Sequence, residues 1–172
     1  MAKYIAFLRG INVGNIRIKM PDLKAAFERM NCTNVKTYLQ TGNVVFDSDK
    51  TIEDIKIILE KGLSQTFNYE AYVLLYPFDT LTDIIAQCPL EKWDTHHNYV
   101  IFVSNTLFLN ELHTLGKDLV EESNSIEAGN GVLYWRVEIG KTLDTPFAKI
   151  IAKAKYKSSV TVRNINTLEK MI

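Results

Sequence analysis

Val35-Lys36-Thr37-Tyr38-Leu39-Gln40-Thr41-Gly42-Asn43-Val44-Val45-Phe46 is the stretch that decides the fold. Two strand-forming runs, Val35–Leu39 and Val44–Phe46, flank a polar tip that carries the glycine a hairpin turn requires. On the N-terminal side, Leu23, Ala26, Phe27 and Met30 recur at helical spacing behind Pro21, which suits a first-turn position. Before that helix, Lys3–Leu8 is a compact apolar strand. On the C-terminal side, Thr51 is placed to cap a helix, with Asp54 three residues on and Ile52, Ile55, Ile58, Leu59 and Leu63 as its apolar stripe. Ala71–Tyr76 forms a fourth strand, stopped by Pro77. The hairpin therefore sits at the centre of a βαββαβ order, the ferredoxin-like arrangement.

The remainder of the chain repeats that order. Asn98–Val103 reads as a strand and Leu107 to Leu115 as a helix. A strand around Ser123–Ala128 meets Val132–Ile139 across Gly129-Asn130-Gly131. Thr145-Pro146 opens a helix whose Phe147, Ile150, Ile151 and Ala154 face inward, and Lys153, Lys155 and Lys157 near its end suit the negative pole of the helix dipole. Val160-Thr161-Val162 is the last strand, followed by a short helix capped by Asn166 with Glu169 as box partner. Residues 79–97 read as a helical linker. The expectation is an α+β protein of two ferredoxin-like (α/β-plait) subdomains packed together, 1–78 and 98–172, with an extra C-terminal helix. No residue-level repeat is visible, so the duplication is one of element order. Tyr99-Val100-Ile101-Phe102-Val103 is apolar on both faces, a pattern of sheets covered on both sides.

Composition narrows the class. The 172 residues are 47% hydrophobic and 23% charged, ordinary for a soluble globular chain with a real core. Twenty basic and twenty acidic residues cancel, so whole-chain charge argues neither for nor against nucleic acid. The two ends are nevertheless basic: Lys3, Arg9, Arg17, Lys19 and Lys24 stand against Asp22 alone, and Lys149, Lys153, Lys155, Lys157, Arg163 and Lys170 against Glu169 alone. No apolar run approaches the ~18–20 residues of a membrane helix, and the N-terminus enters a strand without a signal sequence. Cys32 and Cys88 match no metal-ligand spacing. That points to a cytoplasmic protein with reduced thiols, no metal and no cofactor.

Three segments carry candidate chemistry. The connection after the first strand, Arg9-Gly10-Ile11-Asn12-Val13-Gly14-Asn15 on to Lys19, is about a dozen residues where ~2–6 usually suffice. Gly10 and Gly14 let the backbone turn N–H groups toward an anion, with Arg9 and Lys19 adding charge. It matches neither the P-loop nor the dinucleotide fingerprint, and a plain glycine hairpin is the competing reading. Tyr38, Gln40, Thr41 and Asn43 at the hairpin tip offer donors and acceptors, although turn chemistry alone accounts for them. In Thr161-Val162-Arg163-Asn164-Ile165-Asn166-Thr167, Arg163 and Asn164 fall where a strand ends and a helix begins, and only Asn166 is explained by capping.

Elsewhere the residues read as structural. His96 and His97 are adjacent loop histidines that point apart, and His113 belongs to a solvated helix face. Cys32 and Cys88 have no local histidine partner, and Glu121 and Glu122 are too close in sequence to act as an acid–base pair. Trp93 and Trp135 read as core or interface residues. Tyr4, Phe7 and Phe46 occupy central strands, but the basic-aromatic signature of an RNA-recognition module is missing.

Taken together and in order, Arg9-Gly10-Ile11-Asn12-Val13-Gly14, Tyr38-Leu39-Gln40-Thr41-Gly42-Asn43-Val44 and Thr161-Val162-Arg163-Asn164-Ile165-Asn166-Thr167 resemble the signatures of the bacterial domain of unknown function 1697 family. The resemblance covers nearly the whole chain and implies two ferredoxin-like subdomains; it supplies no reaction. The chain departs from that pattern at Ile165, where tryptophan is usual, and at Asn15, where a second glycine is usual.

Three expectations for function follow. The first is a binding protein for an anionic ligand, a nucleotide-like molecule or a nucleic-acid backbone, with Arg9, Lys19 and Arg163 on its oxygens and Asn12, Gln40, Asn43 and Asn164 orienting it. The second is an enzyme acting on a phosphorylated or acidic small molecule, for which Tyr38 is the only titratable non-basic candidate in the three segments. The third is that the segments only bridge the two halves. Ligand identity, oligomeric state and pathway are not encoded in any motif.

Overall fold

A computed structural model describes residues 1–119 and 124–172. Glu121, Glu122 and the Ser123 start of the expected sixth strand lie outside the described residues. The chain divides into two compact units, Met1–Leu81 and Thr82–Lys170, apart from the last two residues.

In the first unit the elements are β1 (Ala2–Arg9), α1 (Met20–Arg29), β2 (Thr33–Tyr38), β3 (Asn43–Ser48), α2 (Ile52–Phe67) and β4 (Tyr72–Pro77). The sheet order is β2-β3-β1-β4 and every pairing is antiparallel, with Ala6 opposite Val44 of β3 and Leu75 of β4. This is the ferredoxin-like topology. Alternation along the strands puts Tyr4, Ala6, Leu8, Val44, Phe46 and Val73 on one face, where they bury Leu23, Ala26 and Phe27 of α1 and Ile55, Leu59 and Leu63 of α2. Thr51 caps α2 by accepting from the Asp54 amide at 3.3 Å, as its position predicts. The opposite pleat carries Ile5, Phe7, Val45 and Leu74, which are buried as well.

The second unit repeats the order: β5 (His96–Val103), α4 (Thr106–Leu119), β6 (Ser125–Ala128), β7 (Val132–Glu138), α5 (Pro146–Ile151), β8 (Val160–Asn164) and a terminal α6 (Ile165–Glu169). Its antiparallel sheet runs β6-β7-β5-β8. Ile101, Leu133, Trp135 and Val137 bury Leu112 of α4 and Phe147 and Ile151 of α5. Val100, Phe102, Val132 and Tyr134 on the other pleat are also buried, so both faces of β5 are apolar and covered. Thr145 caps α5 through the Ala148 amide at 3.1 Å. In the sequence between β4 and β5, α3 (Phe78–Ala86) fills only the first part of the stretch expected as a helical linker; an irregular run with Pro89 follows, and β5 begins at His96.

Several local expectations are corrected. Helix α5 ends at Ile151, so Ala154 is exposed at the start of a 3-10 turn and Tyr156 is the buried residue there. Lys153, Lys155 and Lys157 lie beyond that helix; Lys155 pairs with Glu111 of α4 instead. Strand β8 continues to Asn164, so Asn164 rather than Asn166 caps α6, accepting from the Asn166 amide at 2.9 Å. Glu169 binds Lys92 at 2.7 Å rather than closing a capping box. His96 and His97 are not loop residues but open β5, opposite Glu138 and Val137. His113 is half-buried, with its Nε2 shielded from solvent.

Candidate functional site

The Arg9–Lys19 loop is shaped by three left-handed residues in five positions: Gly10 (φ 76°), Asn12 (φ 54°) and Gly14 (φ 56°). Glycine adopts this conformation without steric cost and asparagine tolerates it. Ile11 and Ile18 are 4% and 5% exposed and enter the core of the first unit, pinning both ends of the loop. Between them the Asn12 amide acts as a substitute peptide group. Its Oδ1 accepts from the Ile18 N–H at 2.9 Å, and its Nδ2 donates to the Ile18 carbonyl at 3.2 Å and to the Gln40 carbonyl at 2.7 Å.

That last bond joins the first and second sequence segments. The junction is reinforced where the Leu8 N–H donates to the Gly42 carbonyl at 2.8 Å. The hairpin tip also turns through the left-handed region, at Leu39 (φ 55°), where a side chain is strained, and at Gly42 (φ 82°), where it is not. Asn43 is fully buried, and its Nδ2 donates to the Tyr38 carbonyl at 2.9 Å and to Thr41 Oγ1 at 2.7 Å. The amide donors of Asn12 and Asn43, expected to orient a ligand, are thus committed to holding the loop and the tip. Gln40, Thr41, Gly10, Gly14 and Lys19 remain on the surface.

Arg9 differs from all of these. It ends β1 opposite Tyr72 and is half-buried. Among the described residues its guanidinium makes no hydrogen bond or ion pair, and burial alone lowers its pKa. It stays charged regardless. A half-buried cation with no protein acceptor is costly.

The third segment belongs to the second unit. Arg163 is 9% exposed, and its Nη1 donates to Thr161 Oγ1 at 2.7 Å and to the Val162 carbonyl at 3.0 Å. Asn164 is used as the α6 cap, and Asn166 is exposed on the first turn of that helix. Among the described residues, no group of three or more His, Cys, Asp or Glu side chains could hold a metal ion. Burial pushes the Cys32 thiol up to about 11 and also raises that of Cys88, so neither favours the reactive thiolate. Sequence reasoning missed a group in the second unit: Trp93, read as a core or interface residue, is 41% exposed and carries the Arg136 guanidinium 3.5 Å from its ring centre. Only the tertiary pairing of β5 with β7 brings these residues together.

The two βαββαβ units define a duplicated ferredoxin-like protein whose first unit presents a basic loop pinned by Ile11, Asn12 and Ile18. The chain belongs to the family described as Protein of unknown function (DUF1697), whose model matches residues 1–134. The Thr161–Thr167 segment lies beyond that match. Among solved structures, the conserved bacterial protein SP0830 from Streptococcus pneumoniae is similar over 99% of this chain and 96% of its own, with a TM-score of 0.80 and 19% identity. At that identity the likeness is one of fold. No curated protein matches the chain. Among the described residues, no helix is long and apolar enough to cross a membrane.

Proposed function

We propose that the protein binds an anionic, phosphate-bearing ligand at the Arg9–Lys19 loop, and that it does so in the cytoplasm. The observation that carries this reading is the half-buried Arg9 guanidinium with no acceptor, set at the rim of a loop that other residues hold rigid. Division of labour supports it. Asn12, Asn43, Ile11 and Ile18 fix the loop and hairpin. Arg9 and Lys19, with the exposed Gln40 side chain, are left to meet a ligand. Such preorganisation lowers the entropic cost of binding. Arginine suits the task because its planar fork pairs two phosphate oxygens at once. The unpaired Cys32 and Cys88 fit the reducing compartment.

A mononucleotide and a nucleic-acid backbone present the same oxygens and differ in how many charges they bring. Titration of the full chain with nucleoside triphosphates and with a short single-stranded oligonucleotide, each at two salt concentrations, separates them. An oligonucleotide that contacts several phosphates shows the steeper salt dependence. Replacing Arg9 by Ala should weaken either ligand by about 10- to 150-fold, the value of one charge-assisted contact. The same change should leave folding nearly intact, because Arg9 has no partner to lose. Absence of any salt-sensitive binder, or a large stability loss in Arg9→Ala with no change in binding, would refute the proposal.

A further inference from the structure

The second unit contains a separate cavity of about 260 Å³, lined by Lys92, Trp93, Asp94, His96, Asn98, Ile165 and Asn166 among others. It is more than ten times the ~10–15 Å³ that one ordered water requires and close to the lower end of small-molecule sites. Its chemistry is unlike that of the basic loop. Lys92 is neutralised by Glu169 at 2.7 Å. Arg136 lies over the Trp93 indole and holds it in place. Ile165 supplies an apolar wall.

Two acceptors in the lining are left over. Asn98 is 6% exposed; its Nδ2 donates to the Leu90 and Glu91 carbonyls at 3.2 Å each, which fixes the amide, and its Oδ1 has no donor. The Asp94 carboxylate is exposed and has no ion pair or hydrogen bond among the described residues, so it is held by solvent and open to a ligand donor. His96 binds Thr95 Oγ1 through Nδ1 at 2.8 Å, and its Nε2 is likewise shielded and unpartnered. A buried acceptor without a donor costs free energy comparable to a lost hydrogen bond. The charge of Lys92 is matched by Glu169, which leaves the Asp94 carboxylate unpaired in the lining and disfavours an anionic ligand.

We infer that this cavity binds a small, neutral, planar molecule bearing an NH2 group, such as a carboxamide or an amino-substituted nitrogen heterocycle. The flat part sits against Trp93 and Ile165, and the NH2 donates to Asp94 and Asn98. Asn98 Oδ1 lies within the wall, so the donor reaches it as neighbouring side chains give slightly, an ordinary adjustment on binding. This inference does not rest on the anion-binding reading of the Arg9 loop.

Nicotinamide and nicotinate form a suitable probe pair, since they share shape and differ in carrying an NH2 or a carboxylate. Titration of the full chain would be followed by the Trp93 indole N–H resonance. Saturable binding of nicotinamide with nicotinate at least tenfold weaker is the expected result. Asp94→Asn should weaken nicotinamide about fivefold, as for one exposed polar partner. Asn166→Trp, a surface change that occludes the mouth, should abolish binding. Equal binding of both probes, binding unaffected by Asn166→Trp, or no binding, with Asn98 satisfied by ordered water alone, would overturn the assignment.

Discussion

Gly42→Ala tests how the hairpin tip is seated on the first strand. Gly42 is buried at φ +82°, and a Cβ there would lie 2.8 Å from Leu8 Cβ and 2.9 Å from Ile11 Cδ1. The Leu8 N–H to Gly42 carbonyl bond at 2.8 Å prevents the two segments from separating to make room. Two costs therefore add: about 1–2 kcal/mol for a left-handed alanine and about 1–3 kcal/mol for overpacking. The sum is about 2–5 kcal/mol. Gly10→Ala is the matched control, because Gly10 has φ +76° and nothing within 4 Å of its would-be Cβ. It should cost only the conformational part, about 1–2 kcal/mol. Tryptophan fluorescence reports on the wrong unit, since Trp93 and Trp135 both lie in the second. Native-state hydrogen exchange at β1 and β3 amides reads the first unit directly. If Gly42→Ala falls within about 0.5 kcal/mol of Gly10→Ala, the close approach of tip and strand is not what holds this junction.

Asn12→Ala removes three hydrogen bonds and leaves the Ile18 N–H without its acceptor. It should cost about 1–3 kcal/mol, seen as accelerated exchange at Ile18, and weaken any ligand of the loop more than Gln40→Ala does. Glu111 accepts from Lys155 and from the Tyr156 hydroxyl, which hold its carboxyl below the usual carboxylate range. A pKa depressed in the folded state gives stability that is present above the unfolded value of about 4.3 and lost as pH falls through the folded one. The urea midpoint gap between wild type and Glu111→Gln should accordingly be constant near neutrality and close below about pH 4. A gap that persists at low pH would remove Glu111 ionisation as its source.

Element order was legible because periodicity is local. Leu23, Ala26 and Phe27, or the apolar run Val44–Phe46, announce helix and strand without reference to the rest of the chain, and these residues are buried. The caps at Thr51 and Thr145 were legible for the same reason. What escaped depends on where an element stops or on partners far away in sequence. The cap was expected at Asn166; pairing of Asn164 with Tyr99 carries β8 to that residue and assigns the cap to Asn164. Lys155 looked like a dipole cation because Glu111, its partner, lies 44 residues earlier. The loop's oversized length and charge pointed to Arg9–Lys19, yet that Asn12 holds the loop to the hairpin tip rests on its bond to Gln40 across 28 residues.

The position of β1 has a kinetic consequence. It is the first strand made, yet it lies between β3 and β4, and its register with Tyr72–Pro77 cannot form until residue 77 has been synthesised. At ~5–20 residues per second that is a wait of about 3–14 s after Arg9 is added. During it the apolar stretch Ile5–Leu8 has an open edge, a template for pairing with other chains. β5 faces the same delay, because its outer partner β8 is the last strand translated. A fold built of two such units exposes a central strand twice in each round of synthesis, and nascent chains stalled before residue 72 or residue 160 should be the species that chaperones retain.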